Sequence, residues 1–231
     1  MKHLFLFLFI LTATFATRAQ EFENMSPVRQ QIHDKPVSKL TRIEVIEDTL
    51  VFLADSMYFS ALDESRIDGS YEFIRVFKSL IKNPASFDAP LTKLNEKIKI
   101  IVAPDNSFKI YNWEIIRNAV ERRYYGIIQT KKGDILPLID VSEQVIRGAE
   151  DSVFAHSRWY GNLYYNIMMK ESNGAPIYFL FGWNGNSMNS DRKMVDAFTF
   201  DRQGQAVFGA PVFNVIDRGK RKKNQPHGIG I

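Results

Sequence analysis

The spacing of hydrophobic positions changes near Lys97, and that change divides the chain. Before it, Ile43, Ile46, Leu50, Leu53 and Met57 recur at three- and four-residue intervals, which is one face of an amphipathic helix. Thr41-Arg-Ile-Glu44 fits a capping box at its start, and Glu44, Glu47 and Asp48 lie where the helix dipole favours acidic groups. A second helix is expected after Asp68-Gly-Ser70, with Phe73, Ile74, Phe77, Leu80 and Ile81 on one side. It stops before Asn83-Pro84, because the residue preceding a proline resists the helical region. A short link between the two makes an antiparallel helical hairpin, and a further helical turn is expected over residues 91–96.

After Lys97 the period is that of strands. Residues 98–103 and 107–115 flank the turn cluster Pro104-Asp-Asn106, and residues 124–130 and 135–140 flank Lys131-Lys-Gly-Asp134. A short helix is expected over residues 141–147. From Trp159 to Phe213, aromatic and β-branched runs alternate with turns at Ser172-Asn-Gly-Ala175 and Asp201-Arg-Gln-Gly204, giving four more strands. Helices first and then about eight strands in meander order predict an α+β fold, an N-terminal helical hairpin packed on a mainly antiparallel sheet.

The ends of the 231-residue chain have different characters. A charged start, an apolar run from Leu4 to Leu11, and small residues at Thr17 and Ala19 describe a secretory signal peptide cleaved near Ala19. The run is too short to span a bilayer as a helix, so the mature chain is expected to have no transmembrane span. Residues 20–39 read as an extended leader, 40–97 as the helical region and 98–216 as the β region. Residues 217–231 are basic, glycine-containing and aperiodic. They read either as a disordered terminus or as the product of truncation or a frame shift, which would leave a sheet edge uncovered.

Composition removes several function classes. With no cysteine, an exported chain has neither disulfides nor a lipid-bearing N-terminal cysteine. The net charge of +4 comes from the ends: without Lys2, Arg18 and the five basic residues at 218–223, 23 basic face 26 acidic residues, or −3 for the body. A nucleic-acid binder carries its positive charge on a folded face, so nucleic acid is excluded as a partner. No cysteine pair or His-x-x-x-His spacing exists to hold a transition metal, and no phosphate-binding glycine loop or nucleotide fingerprint is present. Neither a metal nor a cofactor is expected.

The candidate binding residues are Trp159, Tyr160, Trp183, Asn184, Asn186 and Asp191. Trp159 and Tyr160 open a strand beside Arg158, which makes them the least core-like of the aromatic residues. The loop 184–191 is rich in side-chain oxygens, a pattern that suits either a weak calcium site or a turn needing left-handed residues. His156, with Asp140, Glu143, Glu150 and Asp151 nearby in sequence, is the material for a hydrolase, but catalysis requires these groups to converge in space.

Five segments carry a resemblance: Pro104-Asp-Asn-Ser-Phe-Lys-Ile-Tyr-Asn-Trp113, Tyr124-Tyr-Gly-Ile-Ile-Gln129, Trp159-Tyr-Gly-Asn-Leu-Tyr-Tyr165, Gly182-Trp-Asn-Gly185 and Phe208-Gly-Ala-Pro211. With Thr199-Phe-Asp-Arg-Gln-Gly204, they make residues 97–213 resemble a group of uncharacterised exported proteins of Bacteroidota-type bacteria. The resemblance implies export and further strand-like sequence beyond that stretch, and it supplies no activity or catalytic residues. Taken together, the sequence points to a non-catalytic binding or cell-envelope protein, with an envelope glycan or a protein as partner. The alternative is a carboxylate- and His156-dependent hydrolase of an envelope glycan or peptide. A small propeller is a third architecture, but it has too few repeats here to be preferred.

Overall fold

The computed structural model describes residues 43–116, 122–145, 149–172, 174–187, 190–217, 220–225 and 227–230. The expected signal peptide, the expected leader and the Thr41 end of the expected capping box lie outside them. Helix α1 (Ile43–Phe59) buries Ile46, Leu50, Leu53 and Met57, the face expected from their spacing. Helix α2 (Asp63–Ile81) starts earlier than its sequence suggests and runs straight through Gly69 and Ser70. The reason is tertiary: a Cβ on Gly69 would lie 3.1 Å from the Met57 backbone nitrogen, so the glycine is the point where the two helices approach closely. A short turn, α3 (Thr92–Asn95), follows; buried Glu47 caps it by accepting from the Leu94 N–H at 3.0 Å.

Twelve strands follow among the described residues, all paired antiparallel. The first sheet has the order β1 (Lys99–Val102), β2 (Phe108–Ile116), β3 (Arg122–Thr130), β4 (Ile135–Ile139). Its hairpins turn at the two clusters read from the sequence, with Asn106 (φ 55°) and Gly133 (φ 99°) in left-handed conformations. Of the helix expected over 141–147, the described part to Val145 holds a single 3-10 turn, Ser142–Gln144, and residues 146 and 147 lie outside the described residues. The second sheet contains β5 (Phe154–Ala155), β6 (Leu163–Ser172), β7 (Ala175–Ser187), β8 (Ser190–Phe200) and β9 (Ala206–Phe208), in the order β5-β9-β8-β7-β6. The fold is therefore α+β with antiparallel meanders, divided into two main sheets rather than one.

Between the sheets lies one core, in which Phe108 meets Tyr178, Phe198 and Phe200, and Tyr164 stacks on Phe208. The other face of the first sheet carries the helices: Trp113 packs edge-on against Phe73 and Phe77. Gln129, almost fully buried, fastens the end of α2 to that face. Its amide donates to the Ile81 carbonyl and the Ser86 hydroxyl, and its oxygen accepts from Tyr111.

Polar side chains join the sheets where their ladders end. Asn112 on β2 behaves like a short strand, accepting from the Tyr164 N–H at 2.6 Å and donating to the Tyr164 carbonyl at 3.2 Å. Asp140 accepts from the backbone N–H groups of Tyr124, Ser142 and Gly161. Both are buried, so each replaces the water that those backbone groups would otherwise need.

The chain beyond residue 217 departs from the aperiodic tail expected of it. β10 (Phe213–Asp217) pairs with β11 (Lys220–Gln225), and β12 (His227–Gly230) pairs with β8. β9 covers only Phe198–Phe200 of β8, so β12 takes the edge left open at Lys193–Asp196. His227 anchors it: Nδ1 lies 2.7 Å from an Asp196 carboxylate oxygen and Nε2 lies 2.7 Å from the Ser152 carbonyl. The second Asp196 oxygen accepts from the Tyr164 hydroxyl, which accepts in turn from the Trp159 indole N–H.

Two stability predictions follow from these joints. Asn112→Ala leaves the Tyr164 N–H and carbonyl buried without partners and should cost about 3 kcal/mol in urea unfolding. His227→Leu leaves the Asp196 carboxylate buried without its imidazole and should also cost about 3 kcal/mol.

Candidate functional site

β2 is longer than the strand beside it. Its last pair with β1 is Asn112–Lys99, so residues 113–116 run on without a paired strand on that side among the described residues. The end of α1 and the start of α2 meet this overhang. Met57, Tyr58, Arg66, Glu114 and Ile116 line a crevice of about 260 Å³ there. Phe59, next to Tyr58 and 77% exposed, is the most exposed large apolar side chain of the described residues.

Glu114 is the acidic centre of this crevice. Arg122, diagonally across the β2–β3 pair on the same face, donates to it at 3.1 Å. The same guanidinium lies 5.1 Å from the centre of the Trp183 ring, a cation–π contact that holds Arg122 between a carboxylate and an indole. Burial raises the Glu114 carboxyl above the ordinary carboxylate range; Arg122 opposes the shift and the charge of Asp191 adds to it. Burial, and then the Glu114 charge, push the Tyr58 hydroxyl far up as well, so it remains a neutral donor. Arg66 donates to the Ser60 carbonyl at 2.9 Å and to Asp63, and its buried Nε has no hydrogen-bond partner.

The residues singled out from the sequence divide between core and crevice. Trp159 and Tyr160, read as the least core-like aromatic residues, are 0% and 5% exposed, which corrects that expectation. Their place in the chain misled because Trp159 bridges to Asp140 on the first sheet and gives its indole N–H to Tyr164, while Arg192 donates to the Tyr160 hydroxyl. Trp183 is half-buried beneath Arg122, next to the crevice. Asn184 is buried and its amide donates to the Gly161 carbonyl at 2.5 Å, a structural use of its side chain. Asp191 is exposed and reaches the site through its charge on Glu114. The side chain of Asn186 lies outside the described residues.

Of the groups read as hydrolytic, His156, Asp140 and Glu143 are engaged apart from one another; the side chain of Glu150 lies outside the described residues. The ring nitrogens of His156 face the Pro137 carbonyl and the Gln205 side-chain oxygen, both at 2.9 Å. Asp140 is spent on backbone N–H groups, and Glu143 lies 3.6 Å from Arg123. No cluster of three or more His, Asp or Glu that could hold a metal ion occurs among the described residues, and no helix there is long and apolar enough to cross a membrane. Glu114, Tyr58 and Arg66 were missed from sequence. The available signal was Glu114 itself, a carboxylate set between Trp113 and Ile115 in a strand otherwise free of acidic residues. No family model, curated protein or solved structure matches this chain.

The raised Glu114 carboxyl has a definite sign. The folded state holds this proton more tightly than the unfolded chain, whose Glu titrates near ~4.3. Its contribution to stability is therefore fully present below about pH 4.3 and lost as pH rises through the higher folded value. The melting-temperature difference between wild type and Glu114→Gln should move in favour of Gln as pH rises across that window. A difference independent of pH would show that Glu114 titrates as it does in the unfolded chain.

Proposed function

We propose that this is an exported, non-catalytic binding protein whose ligand occupies the crevice beside the β2 overhang. One observation carries the reading: an Arg66 nitrogen buried without a partner lines the same crevice as a desolvated Glu114 carboxyl. Proteins rarely leave a buried nitrogen such as the Arg66 Nε idle, and a ligand with hydroxyl oxygens could also donate to Glu114 beside its bond from Arg122. The charges support an uncharged ligand. Arg66 is balanced by Asp63 and Arg122 by Glu114, so a net-charged ligand would unsettle two ion pairs. Tyr58 and exposed Phe59 supply apolar faces beside these polar groups, and a neutral, hydroxyl-rich envelope glycan fragment fits the combination. Export rests on the N-terminal pattern of charged, apolar and small residues.

The test is a thermal melt of the purified protein against neutral oligosaccharides, with short peptides as comparison. A ligand at about 100 times its dissociation constant adds roughly 2.7 kcal/mol, several degrees for a chain of this size. Glu114→Gln and Tyr58→Ala should each weaken the saccharide response about tenfold. A panel without any shift would redirect the reading to a protein partner. Hydrolysis of a panel member, sensitive to Glu114→Gln, would favour the hydrolase instead, since a carboxyl that keeps its proton to higher pH is suited to acid catalysis.

A further inference from the structure

A second cavity lies across β2 from the crevice, because successive residues of a strand face opposite ways. Glu114 and Ile116 line the crevice, whereas Ile115 lines a cavity of about 140 Å³ beneath α2. Its origin can be read residue by residue. Cross-strand pairs Trp113–Tyr125 and Ile115–Arg123 lie in sequence along this face. α2 covers Trp113 with Phe73 and Phe77, but one turn earlier it carries only Gly69 and Ser70. Small residues on the helix above a long pair on the sheet leave the gap.

The lining is rich in hydrogen-bond donors. Ile67, Ser70, Tyr71, Ile115, Arg123 and Tyr125 form it, and no carboxylate is among them. The Ser70 hydroxyl is buried without a partner; the residue is 3% exposed. Arg123 is ion-paired with Glu143 at 3.6 Å, and a guanidinium has five N–H donors, so one that is paired on one edge still has donors for a second carboxylate. Tyr125 stacks on Trp113 with ring centres 5.6 Å apart, which fixes the floor beside the guanidinium. Ile67 and Ile115 supply the apolar wall.

We propose that this cavity binds a small aliphatic monocarboxylate, its oxygens on Arg123 and Ser70 and its alkyl group against Ile67 and Ile115. A guanidinium and a hydroxyl suit the two oxygens of one carboxylate, and the volume admits a chain of only a few carbons. The site is separate from the crevice and does not rest on its ligand.

Propionate and acetate are the probes, titrated into the full-length protein with sodium chloride at matched ionic strength as control. Melting temperature and Trp fluorescence are the readouts, since Trp113 stacks on the cavity floor. Propionate should raise the melting temperature above the chloride control, and more than acetate does. Arg123→Gln should reduce the affinity about tenfold or more. Ser70→Ala should weaken it while leaving the protein at least as stable, because it removes a hydroxyl that has no partner. Glu114→Gln, in the other cavity, should leave the propionate response unchanged. Equal responses to propionate and chloride, or an undiminished response in Arg123→Gln, would overturn the assignment.

Discussion

The structure depends on the hydrogen bonds that buried backbone groups still require where a strand ladder ends. Two antiparallel sheets packed face to face have few shared ladder bonds, so their junction needs side chains to supply the missing partners. Asn112 does this most completely. One amide both accepts from and donates to Tyr164, and its donor group also reaches the Lys99 carbonyl, so β1, β2 and β6 meet on a single side chain. Asp140 plays the complementary part, since a carboxylate can only accept; it gathers three N–H groups from two connections and one strand. Neither residue is a generic polar surface group, and an apolar replacement at either would strand backbone groups in a dry core.

The segment from Trp159 to Asn162 passes through this junction and explains the close packing there. A Cβ on Gly161 would fall 2.4 Å from an Asp140 oxygen, and one on Gly182 would fall 2.6 Å from the Asn162 side chain. Glycine at these two positions is therefore a matter of space. The same junction sets the direction of β6, whose first residues lie beside β1 before the bulge at Tyr165 turns the rest outward. Positions near a strand start that read as solvent-facing are drawn inward because two sheets, rather than one sheet and water, enclose them.

Local pattern made the helical face of α1, the hairpin turns and the strand succession legible, because each is encoded within about ten residues. What was not legible came from contacts between distant parts of the chain. Gly69 reads as a break until the backbone of α1 is placed against it. Trp159 reads as one of the least core-like aromatic residues until Asp140 and Tyr164 are placed beside it. β11, with Lys220, Arg221, Lys222 and Lys223 in succession, has no apolar alternation to announce a strand, and β12 is held by a histidine whose partner lies 31 positions earlier. Of the candidate site, Trp183 and Asp191 stood out in the sequence, whereas Glu114, Tyr58 and Arg66 come together only through packing.

The two cavities share a cause, and that cause bears on function. A core of this density closes its gaps wherever matching side chains are available, and around Phe108 and Tyr164 it does so. At the end of β2 the neighbours run out: β1 stops at Lys99 on one side, and α2 offers Gly69 and Ser70 on the other. A purely structural protein could fill both gaps with larger apolar residues at no cost to its fold. Here polar groups occupy them instead, among them a carboxyl raised by burial and an arginine nitrogen and a serine hydroxyl without partners. Each such group reduces stability, and all three lie around one end of β2; the Trp113 indole N–H and the Asn162 amide are also buried without partners. On the reading proposed above, ligand oxygens would provide the partners that the fold itself withholds from Arg66 and Ser70.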